Sequence, residues 1–207
     1  MPDFSPAIVY QFKVALCGIS PLIWRRLLVR ADTSLADLHH IFQLVMGWTN
    51  SYLHRFLIHG KEYGIAYDGG PGFEDDPRQI RLRDFQFRLR ERFLYAYDFG
   101  DTWQHGIRVE QIVAADPKRT YPVCIGGKRA APPEECGGAE VYLAQWRHWK
   151  YNFLCGRLQD RVRDAKRDFF TGDEDEEIHE SGYDPDHFDR RQVNGQLRRW
   201  ATRGGQV

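Results

Sequence analysis

The chain has 207 residues, 42% of them hydrophobic and 28% charged, a balance that suits one folded domain over 1–207 and excludes global disorder. Its 29 basic and 29 acidic side chains cancel, which argues against non-specific nucleic-acid binding by the whole surface but leaves local asymmetry open. Four cysteines without a C-x-x-C pair, no apolar leader after Met1, and no apolar run long enough to span a bilayer predict a soluble, cytoplasmic protein with no membrane partner.

In chain order, Ile8 to Cys17 reads as a half-buried strand, because Tyr10, Phe12, Val14 and Leu16 alternate with Gln11, Lys13 and Ala15. Gly18-Ile-Ser-Pro21 breaks it, and Leu22 to Val29 forms a second strand with Ile23, Arg25, Leu27 and Val29 on one side. Ser34 caps a helix whose stripe is Leu35, Leu38, Ile41, Phe42, Val45 and Met46, and Gly47 ends it. Tyr52 to Ile58 is a third strand, followed by a short segment around Tyr63 and a loop at Asp68–Gly72. Arg92–Phe99 and Thr102–Val113 flank Gly100-Asp101 as a β-hairpin. Ala114 to Gly138 is rich in Pro and Gly and reads as a long covering loop. Ala139–Tyr151 and Arg157–Phe169 are helical, an acidic run fills Asp173–Glu177, and a last helix begins at Asp184 with Pro185 in its first turn. The expected class is α+β: a mostly antiparallel sheet, one early helix, and several C-terminal helices packed on the sheet.

Four ordered stretches carry a family resemblance. They are Leu38-His-His-Ile41 to Gly47-Trp48 with His54-x-Phe56, then Tyr97-Asp-Phe-Gly-Asp-x-Trp-x-His105. Next come Pro122-Val-Cys124 with Pro132-Pro-Glu-Glu-Cys-Gly-Gly138, and Tyr183-Asp-Pro-Asp-His-Phe-Asp189 with Val193-Asn194 and Leu197. Each is weak alone, but the ordered set is similar to the plasmid pRiA4b ORF-3-like family. The resemblance implies a compact α+β fold, a bacterial or archaeal source and an association with plasmids and mobile elements. Some relatives carry resolvase-like labels, which nothing in this chain supports. Relatives often have a further Cys before the Pro-Pro-Glu segment, where this chain has Ala131.

The hairpin gathers the candidate chemical groups. A two-residue turn at Gly100-Asp101 would set Asp98 opposite Trp103 and Ala96 opposite His105. Asp98, Trp103 and His105 would then share one face, with Tyr95, Tyr97 and Phe99 on the other. An Asp and a His so placed could do acid–base work or hold a metal; the alternative is that Asp98 satisfies turn amides and His105 packs beside Trp103. If the third strand lies beside the hairpin, His54 joins them. Cys124 and Cys136 could supply half of a divalent-metal site such as zinc, or act as small buried hydrophobes. Arg190, Arg191, Arg198 and Arg199 make the last helix basic, a candidate contact for nucleic acid or a protein partner or simply a solvated face. No P-loop, dinucleotide fingerprint or nucleophile elbow is present. Three readings follow: a non-catalytic binding or accessory module, a metal-dependent, hydrolase-like enzyme built on His54, Asp98 and His105, or a scaffold whose hairpin motif is purely structural.

Overall fold

A computed structural model describes residues 7–65, 73, 75–167 and 183–204. The expected Asp68–Gly72 loop and the acidic run Asp173–Glu177 lie outside the described residues. The elements are β1 (Ile8–Leu16), β2 (Trp24–Arg30), α1 (Leu35–Met46), β3 (His54–Ile58) and β4 (Lys61–Gly64). A 3-10 turn follows at Leu82–Phe85, then β5 (Arg92–Tyr97), β6 (Trp103–Ala114), β7 (Val123–Lys128), α2 (Gly138–Arg167) and α3 (Arg190–Thr202). The seven strands form one sheet in the order β4-β3-β5-β6-β1-β2-β7, with every pairing antiparallel.

The period of two gives this sheet one buried face. Phe12, Val14 and Leu16 of β1, Leu27 and Val29 of β2, Phe56 and Ile58 of β3, Tyr95 and Tyr97 of β5, and Trp103, Ile107 and Val109 of β6 are buried there. Helix α1 covers that face with Leu35, Leu38, Ile41, Phe42, Val45 and Met46. A 12-residue helix is marginal by itself. Each large apolar side chain it buries contributes about 1.5–3 kcal/mol, so packing rather than propensity holds it. Its ends are as read from the sequence: Ser34 Oγ accepts the Asp37 amide at 3.0 Å, and Gly47 stops the helix at φ 77°.

Three expectations need correction. The Ala114–Gly138 stretch contains β7, an edge strand whose Gly126 and Gly127 hide its alternation. Two separate helices after Gly138 are one, because Gly156 costs only about 1 kcal/mol inside a helix and does not break it. The last helix starts at Arg190, since Asp189 accepts the Arg191 and Gln192 amides at 2.7 and 3.1 Å, while Asp184 closes a preceding turn on the Asp186 amide. The late helices among the described residues are therefore two, not several lying on the sheet. Helix α3 is seated against β7, and α2 docks through Tyr142, Leu143, Trp146 and Trp149 in its first half. Side chains of α3 close the β7 edge: Asn194 Oδ1 accepts from Cys124 N and Asn194 Nδ2 donates to Cys124 O, both at 2.8 Å, and Arg190 donates to Ile125 O at 3.1 Å.

Candidate functional site

The hairpin register differs from the two-residue turn. Tyr97 faces Trp103 and Tyr95 faces His105, so the loop runs over residues 98–102. Asp98 and Thr102 adopt φ 54° and 53°; Thr102 N donates to Asp98 O at 2.6 Å, and the Asp98 carboxylate accepts the Gly100 amide at 3.0 Å. This wider loop displaces Asp98 from the face expected for it. The buried face instead carries Tyr95, Tyr97, Trp103 and His105 together, while Phe99 is exposed.

His54 does lie beside the hairpin, because β3 pairs with β5 and His54 sits opposite Tyr97. Its imidazole stacks on His39 of α1, with ring centroids 3.5 Å apart and planes 6° apart. Tyr95 is the hub of this layer, with His105 5.2 Å away between ring centroids. Gln43 Nε2 donates to Tyr95 Oη at 2.9 Å, and Tyr95 Oη lies 2.7 Å from His39 Nδ1. The other His39 nitrogen meets Asn50 Oδ1, which can only accept. The consistent assignment is a neutral His39 protonated at Nε2, with the Tyr95 hydroxyl donating to Nδ1. His105 Nδ1 faces the Trp103 carbonyl at 3.1 Å and so carries its proton there. Nε2 of His54, Nε2 of His105 and Oε1 of Gln43 are buried with no hydrogen-bond partner among the described residues. Burial lowers His39 to about 2, helped by the neighbouring His54, and lowers His54 and His105 to about 4. All three are neutral near pH 7.

The Pro-Pro-Glu-Glu run straps this layer down. Trp48 Nε1 donates to Pro132 O at 2.9 Å, and Trp103 Nε1 donates to Glu134 O at 3.2 Å. The Glu134 carboxylate accepts from the Tyr97 hydroxyl and from Thr49 N and Oγ1, the latter two at 2.8 Å. Gly137 N donates to Asp101 Oδ2 at 2.9 Å, which ties the strap to the hairpin tip. Gly138 follows at φ 81° with Asp101 O so close that a Cβ would sit 2.6 Å from it, so only glycine fits.

Of the residues singled out from sequence, His54, Trp103 and His105 share the buried layer, and Asp98 serves the turn. Cys124 lies in β7 with its thiol donating to Gly126 O at 3.3 Å, whereas Cys136 lies in the strap near Asp101. Both thiols are free, and burial raises both pKa values. Among the described residues no three His, Cys, Asp or Glu side chains gather as a metal group. Arg190, Arg191, Arg198 and Arg199 are exposed on α3. Arg198 also lines a cleft of about 380 Å³ with Lys118, Arg119, Thr120 and Asn194. Sequence reasoning missed Gln43, Tyr95 and Glu134 as partners in the layer. A signal existed for Gln43: with His39 it forms an i, i+4 polar pair inside an apolar stripe.

A family model described as "Plasmid pRiA4b ORF-3-like protein" matches residues 8–192. The chain is 33% identical over 155 residues to the uncharacterized protein y4hQ of Sinorhizobium fredii (strain NBRC 101917 / NGR234), covering 74% of this chain and 75% of that protein. It is also similar to the crystal structure of MM3350, a protein of unknown function from Methanosarcina mazei Go1. The TM-score is 0.66 and the identity 32%, over 91% of this chain and 99% of that one. With three of the motif stretches meeting in the buried layer and its strap, and with the family model spanning all seven strands, this chain belongs to the plasmid pRiA4b ORF-3-like family.

Proposed function

We propose that this chain is a non-catalytic binding module of bacterial plasmids or mobile elements, acting in the cytoplasm, and that nucleic acid is its partner. The reading is supported first by what the buried layer does. The Tyr95 hydroxyl is held by Gln43 and His39, and the Tyr97 hydroxyl donates to Glu134 of the strap. The Asp98–His105 pairing that an acid–base site would need is missing from the hairpin register. Chemistry with a solvent-borne substrate is poorly served there.

The observation that carries the proposal is the cleft between the 116–122 turn and α3. Lys118, Arg119 and Arg198 line it, and none of the three makes an ion pair among the described residues. Asp116, the acidic residue among those lining it, accepts the Lys118 backbone amide at 2.9 Å. Arg191 and Arg198 are seven positions apart on α3 and share a helix face, so the cations extend from the cleft along the helix. Such a surface attracts phosphate and releases counterions on binding.

The test is oligonucleotide affinity as a function of salt. Arg198→Glu with Arg199→Glu is expected to weaken binding about tenfold or more at low salt, and to flatten the log K against log[salt] slope by about 0.7–0.9 for each phosphate contact removed. Unchanged affinity and slope would remove α3 as the contact.

A further inference from the structure

Among the described residues, the middle of the sheet face opposite α1 is exposed or half-buried, and cross-strand register sorts that part into two parallel rows. In the first row Arg92 faces Arg108, Arg108 faces Lys13, and Lys13 faces Arg26, across the adjacent strands β5, β6, β1 and β2. Adjacent strands are about 4.8 Å apart, so this cation row is about 14 Å long. The second row lies two residues along each strand, about 7 Å away. There Leu57 faces Leu94, Leu94 faces Gly106, Gly106 faces Ala15, and Ala15 faces Trp24. Leu94 is 41% exposed and Leu57 36%. Trp24 lies over Gly126, 3.5 Å from where a Cβ would stand, and Lys13 sits 5.3 Å from its ring centroid.

Like charges directly opposite one another destabilise a sheet. Here Arg92 and Arg108 make no ion pair among the described residues. Glu110 is the carboxylate that reaches the row; it is bonded by Arg26 and by Gln11 and is also felt by Lys13. The row therefore keeps an unmet demand for negative charge at its Arg92–Arg108 end. An apolar strip with small residues at its middle runs alongside it.

We propose that a single-stranded nucleic acid lies across this face, perpendicular to the strands, with phosphates on the Arg92–Arg108–Lys13 part of the row and bases over the Leu94–Gly106–Ala15–Trp24 row. A phosphate-and-base polymer has an anionic edge and an apolar edge side by side, to match the two rows. A duplex turns its base faces inward and would leave the apolar row uncovered. The inference rests on the proposed function only for the premise that nucleic acid is bound; the surface is a different one, on the other side of the sheet from α1.

The experiment is fluorescence anisotropy on the full chain at low salt, with labelled oligothymidine, a blunt duplex and an oligoglutamate peptide as probes. Three proteins are compared: wild type, Arg92→Glu/Arg108→Glu, and Arg198→Glu/Arg199→Glu. Thermal melts confirm folding, and Arg92→Gln/Arg108→Gln replaces the charge reversal if that variant is unstable. The expected result is a preference for oligothymidine over duplex, a loss of about tenfold or more in the Arg92/Arg108 variant, and a salt slope reduced by about 0.7 per removed contact. If wild type binds oligothymidine and only the α3 variant loses it, the proposed function stands and this inference is overturned. If the duplex or oligoglutamate binds as tightly as oligothymidine, the single-strand assignment is overturned. If no nucleic-acid probe binds, both fall.

Discussion

Arg25 is a buried cation whose hydrogen-bond partners are main-chain carbonyls. It is 2% exposed, and its Nε donates to Val45 O at 2.9 Å, in the last turn of α1, where orphan carbonyls gather at the negative end of the helix dipole. Nη1 donates to Trp24 O and Lys128 O at 2.9 and 3.2 Å, and the guanidinium lies 4.0 Å from the Phe188 ring centroid. Burial lowers its pKa to about 10, so it stays charged at neutral pH. One side chain thus links β2 to α1, to the end of β7 and to the segment before α3. Arg25→Ala should cost about 3–5 kcal/mol in urea unfolding, because it leaves buried carbonyls unpaired. Arg25→Lys should recover less than half of that, since an ammonium cannot match the planar fork or stack on Phe188. A loss under about 1 kcal/mol for Arg25→Ala would show that water replaces the side chain at little cost. Alternation alone placed Arg25 on the inward side of its strand. Its role was not legible, because main-chain acceptors brought in by folding leave no mark in the order of side chains.

At the level of elements, the strap and the hairpin are one unit, and Glu134 joins them. Its carboxylate takes the Tyr97 hydroxyl and both donors of Thr49, while its carbonyl takes the Trp103 indole. Glu134→Ala should free the strap over Trp48 and Trp103 and lower stability by about 1–3 kcal/mol, the range for stranding such donors. Tryptophan emission should shift red and proteolysis within residues 130–137 should quicken; Glu134→Gln should fall between, since its amide still accepts. Emission and cleavage identical to wild type would mean that the prolines alone hold the strap. The sequence showed a hairpin and a Pro-Gly strap but mispaired the hairpin by one residue on one strand. The reason is local: Asp98 and Thr102 both take positive φ, which Gly100-Asp101 gave no warning of, and a one-residue slip exchanges which side chains face the core. Asp98 thereby left the candidate site and Tyr95 and Tyr97 joined it. The strand β7 was hidden for a related reason, since glycines at two of its positions accommodate Trp24 and Phe188 and carry no side-chain pattern.

For the whole molecule, the histidine layer sets an acid limit on the fold. His39, His54 and His105 sit between the sheet and α1 as neutral imidazoles, with folded pKa values lowered to about 2, 4 and 4 by burial. In the unfolded chain each returns to about 6.5. Above that value neither state holds the extra proton, and the stabilisation is fully present. As pH falls below about 6.5 the unfolded state takes up protons that the folded state refuses, and stability drops. For His54 and His105 the loss runs from about 6.5 to about 4; for His39 it continues to about 2. Half-buried His40, also lowered by burial, adds in the same direction. Each fully titrating group contributes about 1.4 kcal/mol per pH unit, so the three together give a slope near 4 kcal/mol per unit around pH 5. The carboxylates Asp32, Glu91, Glu110 and Asp186 have lowered pKa values and steepen the decline only at lower pH, as they protonate. Urea unfolding between pH 7 and 5 should therefore show a steep fall in stability, and His54→Gln should flatten it by about one proton. A melting temperature that stays level between pH 7 and 5 would mean that the layer opens to water on protonation instead of unfolding the chain. In that case the strap, which covers the same layer, would be the element that lifts, and the Glu134 variants should change the pH response as well as the stability.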